Sequence, residues 1–245
     1  MTPRVTLAVT ARVLTQLRRD HRTLALLLVM PCLLMTLLAW IFADSDSGVF
    51  DRVAPGLLAL FPFIVMFLVT SVTTLRERTS GTLERLLAMP MGRLDLILGY
   101  ALAFGVVAWA QAALAVALSV GALGLDIAGS VWLLGAIAVL DAVLGTALGL
   151  FVSAFARTEF QAVQFLPALV IPQMLLCGLL VARDQLPRAL ELVSDVLPLS
   201  YAVDAMTAVC RGDATWDIAS DIGVVAAFVV DFVALGALTL RRRTP

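Results

Sequence analysis

Six long apolar stretches are the feature of this sequence that most constrains its fold. A helix needs about 20 mostly apolar residues to cross roughly 30 Å of hydrocarbon, because every backbone amide must be hydrogen-bonded within the helix. The stretches that meet this requirement are 23–42, 55–75, 94–120, 131–155, 163–182 and 222–240. Hydrophobic residues make up 61% of the chain and charged residues 14%, which is typical of multi-span membrane proteins. The sequence therefore predicts an all-α, polytopic membrane protein with six transmembrane helices in a single transmembrane domain, 1–245.

The fifth stretch is the weakest of the six. Pro167, Pro172 and Gly178 interrupt its apolar pattern. Proline removes a helical hydrogen bond and crowds the preceding turn. We therefore expect this span to be kinked or broken.

The arginines predict the orientation of the chain, since all 17 basic residues are arginine. Arginine beside a span resists translocation, so the side richer in arginine is cytoplasmic. With six spans, the opposite side holds only Arg52, Arg183, Arg188 and Arg211. We therefore expect a multi-pass protein of a bacterial inner or plasma membrane with both termini in the cytoplasm. Residues 76–93 then form a cytoplasmic loop, and residues 183–221 form an extracytoplasmic segment.

Residues 1–22 carry an amphipathic helical pattern. On a projection at 100° per residue, valines and leucines share one face and arginines share the other. These arginines are Arg4, Arg12, Arg18, Arg19 and Arg22. The pattern predicts an interfacial helix on the anionic cytoplasmic leaflet of the lipid bilayer. An ordinary juxtamembrane helix that only anchors the first span is the alternative.

The cytoplasmic loop contains a short predicted helix with an unusual apolar face. Gly81 permits a sharp turn before it, and Pro90 stops it ahead of the third span. The leucines that share one face, at spacing i, i+3 and i+4, are Leu83, Leu86 and Leu87. Apolar side chains on a charged loop require cover. The helix is therefore expected to dock into a groove of a cytoplasmic partner, oriented by Glu84 and Arg85. The alternative is a helix that lies on the membrane surface.

The same loop resembles the signature loop of type-2 ATP-binding-cassette exporter permeases, a family of bacterial drug, lipid and polysaccharide exporters. The residues that carry the resemblance are Glu77, Arg78, Gly81, Thr82, Leu83, Glu84, Leu86, Leu87 and Pro90. A second stretch is similar to the outer region between the family's spans five and six. Its motif residues are Leu186, Pro187, Pro198, Leu199, Ser200 and Tyr201. The segment 181–184 departs from the pattern, because many relatives carry an apolar residue and proline there.

The resemblance implies a role and a set of partners. The helix around 82–89 would be a coupling helix that contacts an ATPase subunit, and 186–205 would form short outer helices near the exit of the pathway. Two ABC ATPase subunits would bind ATP and Mg, and a second permease subunit would complete a homodimer or heterodimer. The chain would move an amphiphilic substrate, such as a lipid, drug or glycoconjugate, out of the cytoplasm or the inner leaflet.

Several catalytic chemistries are excluded by the residues themselves. A P-loop needs a lysine on the terminal phosphates, and the sequence contains none. ATP hydrolysis must therefore occur on another polypeptide, and neither a cofactor nor a nucleic-acid partner is expected for this chain. The single histidine, His21, excludes an HExxH zinc site. We therefore expect a transport subunit that is not itself an enzyme.

Two aspartates inside predicted spans, Asp141 and Asp231, are the remaining candidates for a functional site. Intramembrane carboxylates are costly and often functional. Counted from the outer ends of their spans, the two are expected at similar depth. They would either form a polar pathway site or be protonated or hydrogen-bonded between packed helices, and the same two readings apply to Gln111 and Gln173. A proton-coupled secondary transporter or an intramembrane aspartyl enzyme that uses both carboxylates is the alternative function.

Overall fold

The computed structural model describes residues 3–43, 48–80, 93–213 and 215–239, and these residues are almost entirely helical. The helices are α1 Pro3–Arg19, α2 His21–Ile41, α3 Val49–Thr79, α4 Arg93–Gly121, α5 Val131–Val152, α6 Glu159–Leu176, α7 Arg188–Ser194, α8 Pro198–Arg211 and α9 Thr215–Thr239. Within these residues, six helices are long and apolar enough to cross a membrane, namely α2, α3, α4, α5, α6 and α9. The prediction of an all-α protein with six transmembrane helices is confirmed.

The centre of the bundle is the contact between α3 and α5. Gly145 and Gly149 on α5 face the backbone of α3, where a Cβ atom on either glycine would lie 2.4 Å from the oxygen of Phe63 and 2.6 Å from the oxygen of Phe67, respectively. Small residues at a spacing of four allow this close approach of two helix backbones. Gly145 and Gly149 therefore form a packing stripe on α5 against α3, and Asp141 lies one turn before it, fully buried.

The amphipathic helix α1 packs against α4. Val9 and Val13 are buried there. Gly99 of α4 makes room for this contact, since a Cβ atom on it would lie 2.6 Å from the side chain of Val9. Thr10 Oγ1 donates a hydrogen bond to the carbonyl oxygen of Gly99 at 3.1 Å. The apolar face of α1 is therefore covered in large part by protein, and the placement of α1 on a membrane surface stays a prediction.

The ends of several helices differ from the predicted spans. The second and sixth spans, predicted as 55–75 and 222–240, are Val49–Thr79 and Thr215–Thr239, because a helix continues beyond the apolar window with polar residues that hydropathy alone does not count. The fifth, predicted as 163–182, is Glu159–Leu176. It begins earlier because Thr158 caps it, with Oγ1 accepting from the backbone N–H of Gln161 at 3.1 Å.

The fifth span is one continuous helix, α6, and it ends before Gly178. Pro167 and Pro172 lie within the helix. Gly178 follows it with a φ of +88°, a left-handed conformation that glycine adopts at little cost. The chain turns there into a short 3-10 turn, Arg183–Gln185, and then into α7 and α8, which meet at an angle of 88°. The expectation of short helices between spans five and six is met. Of the kink or break expected in the fifth span, a break is not present.

Candidate functional site

Most of the predicted coupling helix lies outside the described residues. Those positions are Gly81, Thr82, Leu83, Glu84, Arg85, Leu86, Leu87 and Pro90. Their docking on a partner therefore stays a prediction. Glu77 and Arg78 are described, and they occupy the last turn of α3, directly before the loop.

The last turn of α3 contacts three other helices through three consecutive residues. Arg76 donates two hydrogen bonds to the Glu159 carboxylate at the start of α6, at 3.0 and 3.2 Å. Glu77 Oε1 lies 3.9 Å from Nη2 of Arg12 on α1. Arg78 Nη1 donates to the carbonyl oxygen of Ser153, at the end of α5, at 2.9 Å. A displacement of this turn therefore acts directly on α1, α5 and α6.

These three contacts differ in strength. Arg76 and Glu159 are both at least half exposed, so their ion pair is worth about 0–1 kcal/mol. Arg78 is half-buried and bonds a carbonyl at the C-terminus of α5, where free carbonyls and the helix dipole favour a cation. The contact between Glu77 and Arg12 is long. Within the described part of the chain, Oε2 of Glu77 and Nη1 of Arg12 are buried without a hydrogen-bond partner.

The two intramembrane aspartates do not form a pair. The ring of Phe232, the neighbour of Asp231, stacks on Phe151 at 6.0 Å, so Asp231 lies at the level of the C-terminal end of α5. Asp141 lies about 15 Å higher along α5. It is fully buried, and neither of its carboxylate oxygens has a hydrogen-bond partner among the described residues, whereas Asp231 is exposed. The expectation of similar depth is wrong, because the helices extend beyond the windows from which depth was counted.

This separation counts against the alternative functions that require both carboxylates. Two aspartates that share a proton must lie within a few ångströms of each other. With Asp141 inside the bundle and Asp231 on its surface, the geometry does not support an aspartyl enzyme or a shared proton site. Asp141 remains a buried polar group between packed helices.

Gln111 links α4 to α2 at a backbone carbonyl that a proline leaves without its helical hydrogen bond. Pro31 lies inside α2 and has no N–H for the carbonyl of Leu27, four residues earlier. Gln111 is fully buried, and its Nε2 donates to that carbonyl at 2.9 Å. The side chain therefore satisfies a backbone group that would otherwise lose its hydrogen bond, which is the interhelical role rather than a pathway role.

Gln173 performs a similar structural role at the end of the bundle where α7 and α8 lie. Its Oε1 accepts from the backbone N–H of Leu199, in the first turn of α8, at 3.4 Å, and its Nε2 donates to Leu169 at 3.0 Å. The first N–H groups of a helix have no partner within it. Gln173 thereby holds the start of α8 against α6.

The outer motif residues begin and end the short helices. Leu186 follows the 3-10 turn, Pro187 precedes α7, and Pro198 is the first residue of α8. Proline suits these positions because its fixed φ starts a helix without wasting a donor. Tyr201 donates from its hydroxyl to the backbone oxygen of Asp195 at 2.7 Å.

Sequence reasoning missed an ion cluster in this outer segment. Arg183 bonds the carboxylates of Asp204 on α8 and Asp195 after α7, and its guanidinium carbon lies 5.2 Å from the ring centroid of Tyr201. Burial raises the pKa of Asp204, and the bond from Arg183 opposes that rise. The available signal was that Arg183 is one of only four arginines on the acidic side that the sequence predicts to be extracytoplasmic.

Comparisons with known proteins agree with this architecture. The protein-family model described as ABC-2 type transporter matches residues 4–210. The chain is 29% identical over 166 residues to the probable multidrug ABC transporter permease YbhR of Escherichia coli, covering 68% of this chain and 45% of the relative. It is 27% identical over 199 residues to the linearmycin resistance permease protein LnrN of Bacillus subtilis, covering 77% and 49%.

A eukaryotic relative shares the same region. The ABC transporter G family member 20 of Dictyostelium discoideum is 26% identical over 166 residues, covering 68% of this chain and 23% of the relative. The chain thus spans about half the length, or less, of these curated relatives. The family match extends from α1 to the end of α8 and includes both predicted motifs. The chain therefore belongs to the ABC-2 type transporter family.

Proposed function

We propose that the chain is the membrane-spanning permease subunit of an ATP-driven exporter, and that it moves an amphiphilic substrate out of the cytoplasm or the inner leaflet. The family membership and the permease names of its relatives support this function. In this proposal ATP and Mg are bound by an ATPase partner rather than by residues 1–245, which contain no lysine and therefore no P-loop.

The observation that carries the proposal is the contact pattern at the end of α3. Arg76, Glu77 and Arg78 reach α6, α1 and α5, and the coupling loop follows within a few residues. A force on the loop is therefore delivered to four helices at once. Substrate movement requires that an event at the ATPase change the packing of the spans, and this turn is where such a change enters the bundle.

The proposed assembly contains two ATPase subunits and two permeases, identical or related, with both termini of this chain in the cytoplasm. The arginine distribution supports the orientation. Large apolar side chains are exposed along α2 and α6, including Leu26, Leu33, Phe160 and Leu175. Such faces require lipid or a second permease as cover.

The decisive experiment is copurification of the ATPase with a permease that carries Leu83→Asp and Leu87→Asp. We expect the ATPase to be lost, because two carboxylates replace the apolar face of the coupling helix. Leu192→Asp is the matched control, since Leu192 is 54% exposed on the outer helix α7 and cannot reach a cytoplasmic protein. Retention of the ATPase by the double variant, or transport that continues in ATP-depleted vesicles, would contradict the proposal.

A further inference from the structure

A cavity of about 410 Å³ lies at the cytoplasmic end of the bundle, between α1, the start of α2 and the last turns of α3. This volume is within the range of sites that bind small molecules, about 300–1,000 Å³. It lies beside the last turn of α3, residues 76–78, which we call the contact turn. Its wall is divided into an apolar part and a polar part.

The apolar part of the wall consists of side chains from α3 and its neighbours α1 and α6. Leu68, Val69 and Val72 line it from α3, Leu17 from α1 and Val163 from α6. None of these residues carries a hydrogen-bonding side chain. This half of the cavity accommodates a hydrocarbon chain.

The polar part is acidic. Asp20, Glu77, Gln16 and Arg76 line it. Arg76 is committed to the carboxylate of Glu159 through two hydrogen bonds, so its charge is balanced outside the cavity. Glu77 in turn lies 3.9 Å from Arg12, so among the described residues Asp20 is the carboxylate of this end that no arginine pairs with.

The carboxylates of Asp20 and Glu77 differ in their hydrogen bonds. Asp20 caps α2, accepting from the backbone N–H of Thr23 at 3.2 Å and from its hydroxyl at 2.7 Å. These hydrogen bonds, the hydroxyl one above all, lower the pKa of Asp20, so it is ionised at neutral pH. Glu77 is 7% exposed, its Oε2 makes no hydrogen bond of ordinary length within the described residues, and the side chain of Gln16 in the same wall also interacts with its carboxylate. Arg12, 3.9 Å from Oε1, does not line the cavity.

We propose that this cavity is a binding site for an amphiphile with a primary ammonium head group, which enters from the inner leaflet. The ammonium group donates to the carboxylates of Glu77 and Asp20, and the hydrocarbon chain lies along Leu68, Val69 and Val72. An anionic head group cannot donate to either carboxylate and is repelled by Asp20. The inference rests on the proposed function, and it names a substrate class that the family membership does not.

The test uses the purified permease–ATPase complex in phosphatidylcholine nanodiscs without ATP. The probe is hexadecylammonium with a diazirine near its head group, and hexadecyl sulfate with the same diazirine is the matched anion. Photolabelling of the peptide that contains 68–72 is measured by mass spectrometry. We expect the ammonium probe to label it on the order of tenfold more than the sulfate, because complementary charge favours one probe and repels the other.

Variants locate the site. Glu77→Gln should remove most of the preference for the ammonium probe, whereas Asp231→Asn, an exposed carboxylate on another span, should leave it unchanged. Val72→Phe, which fills the cavity, should reduce labelling by both probes, and Val106→Phe, at an exposed position of α4 outside the cavity, should not. The comparison of the two probes on the unaltered protein tests the site even if Glu77→Gln fails to fold.

A second nanodisc lipid composition identifies the source of the ligand. Labelling that falls when phosphatidylethanolamine replaces phosphatidylcholine assigns the site to an amine lipid, and unchanged labelling assigns it to a free cationic amphiphile. Equal labelling by the two probes, or labelling that Val72→Phe leaves intact, refutes the site. If the complex still contains its ATPase in that case, the exporter assignment stands while this inference fails.

Discussion

Gly145→Ala is the substitution that tests the centre of the bundle most directly. The added Cβ atom would lie 2.4 Å from the backbone oxygen of Phe63, against 3.4 Å for the onset of ordinary contact. The obstacle is backbone rather than a flexible side chain, so α3 and α5 must separate by a full ångström at this point. Overpacking of this kind costs about 1–3 kcal/mol.

A matched control is available on the same helix. No atom lies within 4 Å of a Cβ built on Gly135, so Gly135→Ala should be neutral or should stabilise the helix by up to about 1 kcal/mol. The free energy of unfolding of each variant is measured by titrating the micelle-bound permease with sodium dodecyl sulfate and following helix content. If Gly145→Ala is no less stable than Gly135→Ala, the backbones of α3 and α5 do not meet at Gly145.

Three further predictions concern the periphery of the bundle. Burial holds the folded-state pKa of Asp204 above its ordinary value, so the stability that its protonation contributes is lost as pH rises through that pKa. Arg183→Gln removes the cation that opposes this rise and raises the pKa of Asp204 further. The loss of stability should then occur at higher pH, which unfolding at a series of pH values measures. Gln111→Leu should destabilise the protein by about 1–3 kcal/mol, because it leaves the buried carbonyl of Leu27 unpaired. The cost should be smaller in a Pro31→Ala background, where residue 31 regains a backbone N–H for that carbonyl. Equal costs in the two backgrounds of this double-mutant cycle would contradict the prediction. Val13→Asp places a carboxylate at a position that is 1% exposed, and trypsin should then cleave α1, whereas an aspartate at an exposed position of α1 should leave it protected.

The parts of the fold that depend on local sequence could be predicted from it. The apolar spans follow from hydropathy, and the stripe of Gly145 and Gly149 follows from helical spacing, because a small residue every fourth position marks a close helix contact in any membrane protein. Short outer helices were expected from the family resemblance, and Pro187 and Pro198 lie at the starts of the two that form, α7 and α8.

The parts of the fold that depend on how helices are rotated against one another could not be predicted from the sequence. A span is apolar on all sides because lipid is as apolar as a protein core, so its sequence does not show which face is buried. Asp141 and Asp231 look alike in sequence, yet one is enclosed and the other exposed. The pair of Arg76 and Glu159 joins residues far apart in the chain, and no local pattern connects them.

The contact turn of α3 also limits which changes of chain length the protein tolerates. Successive residues of a helix project 100° apart, so Arg76, Glu77 and Arg78 each reach a different neighbour only in one rotational setting. Deleting a single residue between Phe67 and Arg76 would turn all three side chains toward the wrong helices, although composition and hydropathy would hardly change. The helix that leads into the loop is therefore a part of fixed length, and an alignment gap there would be a sign of altered coupling.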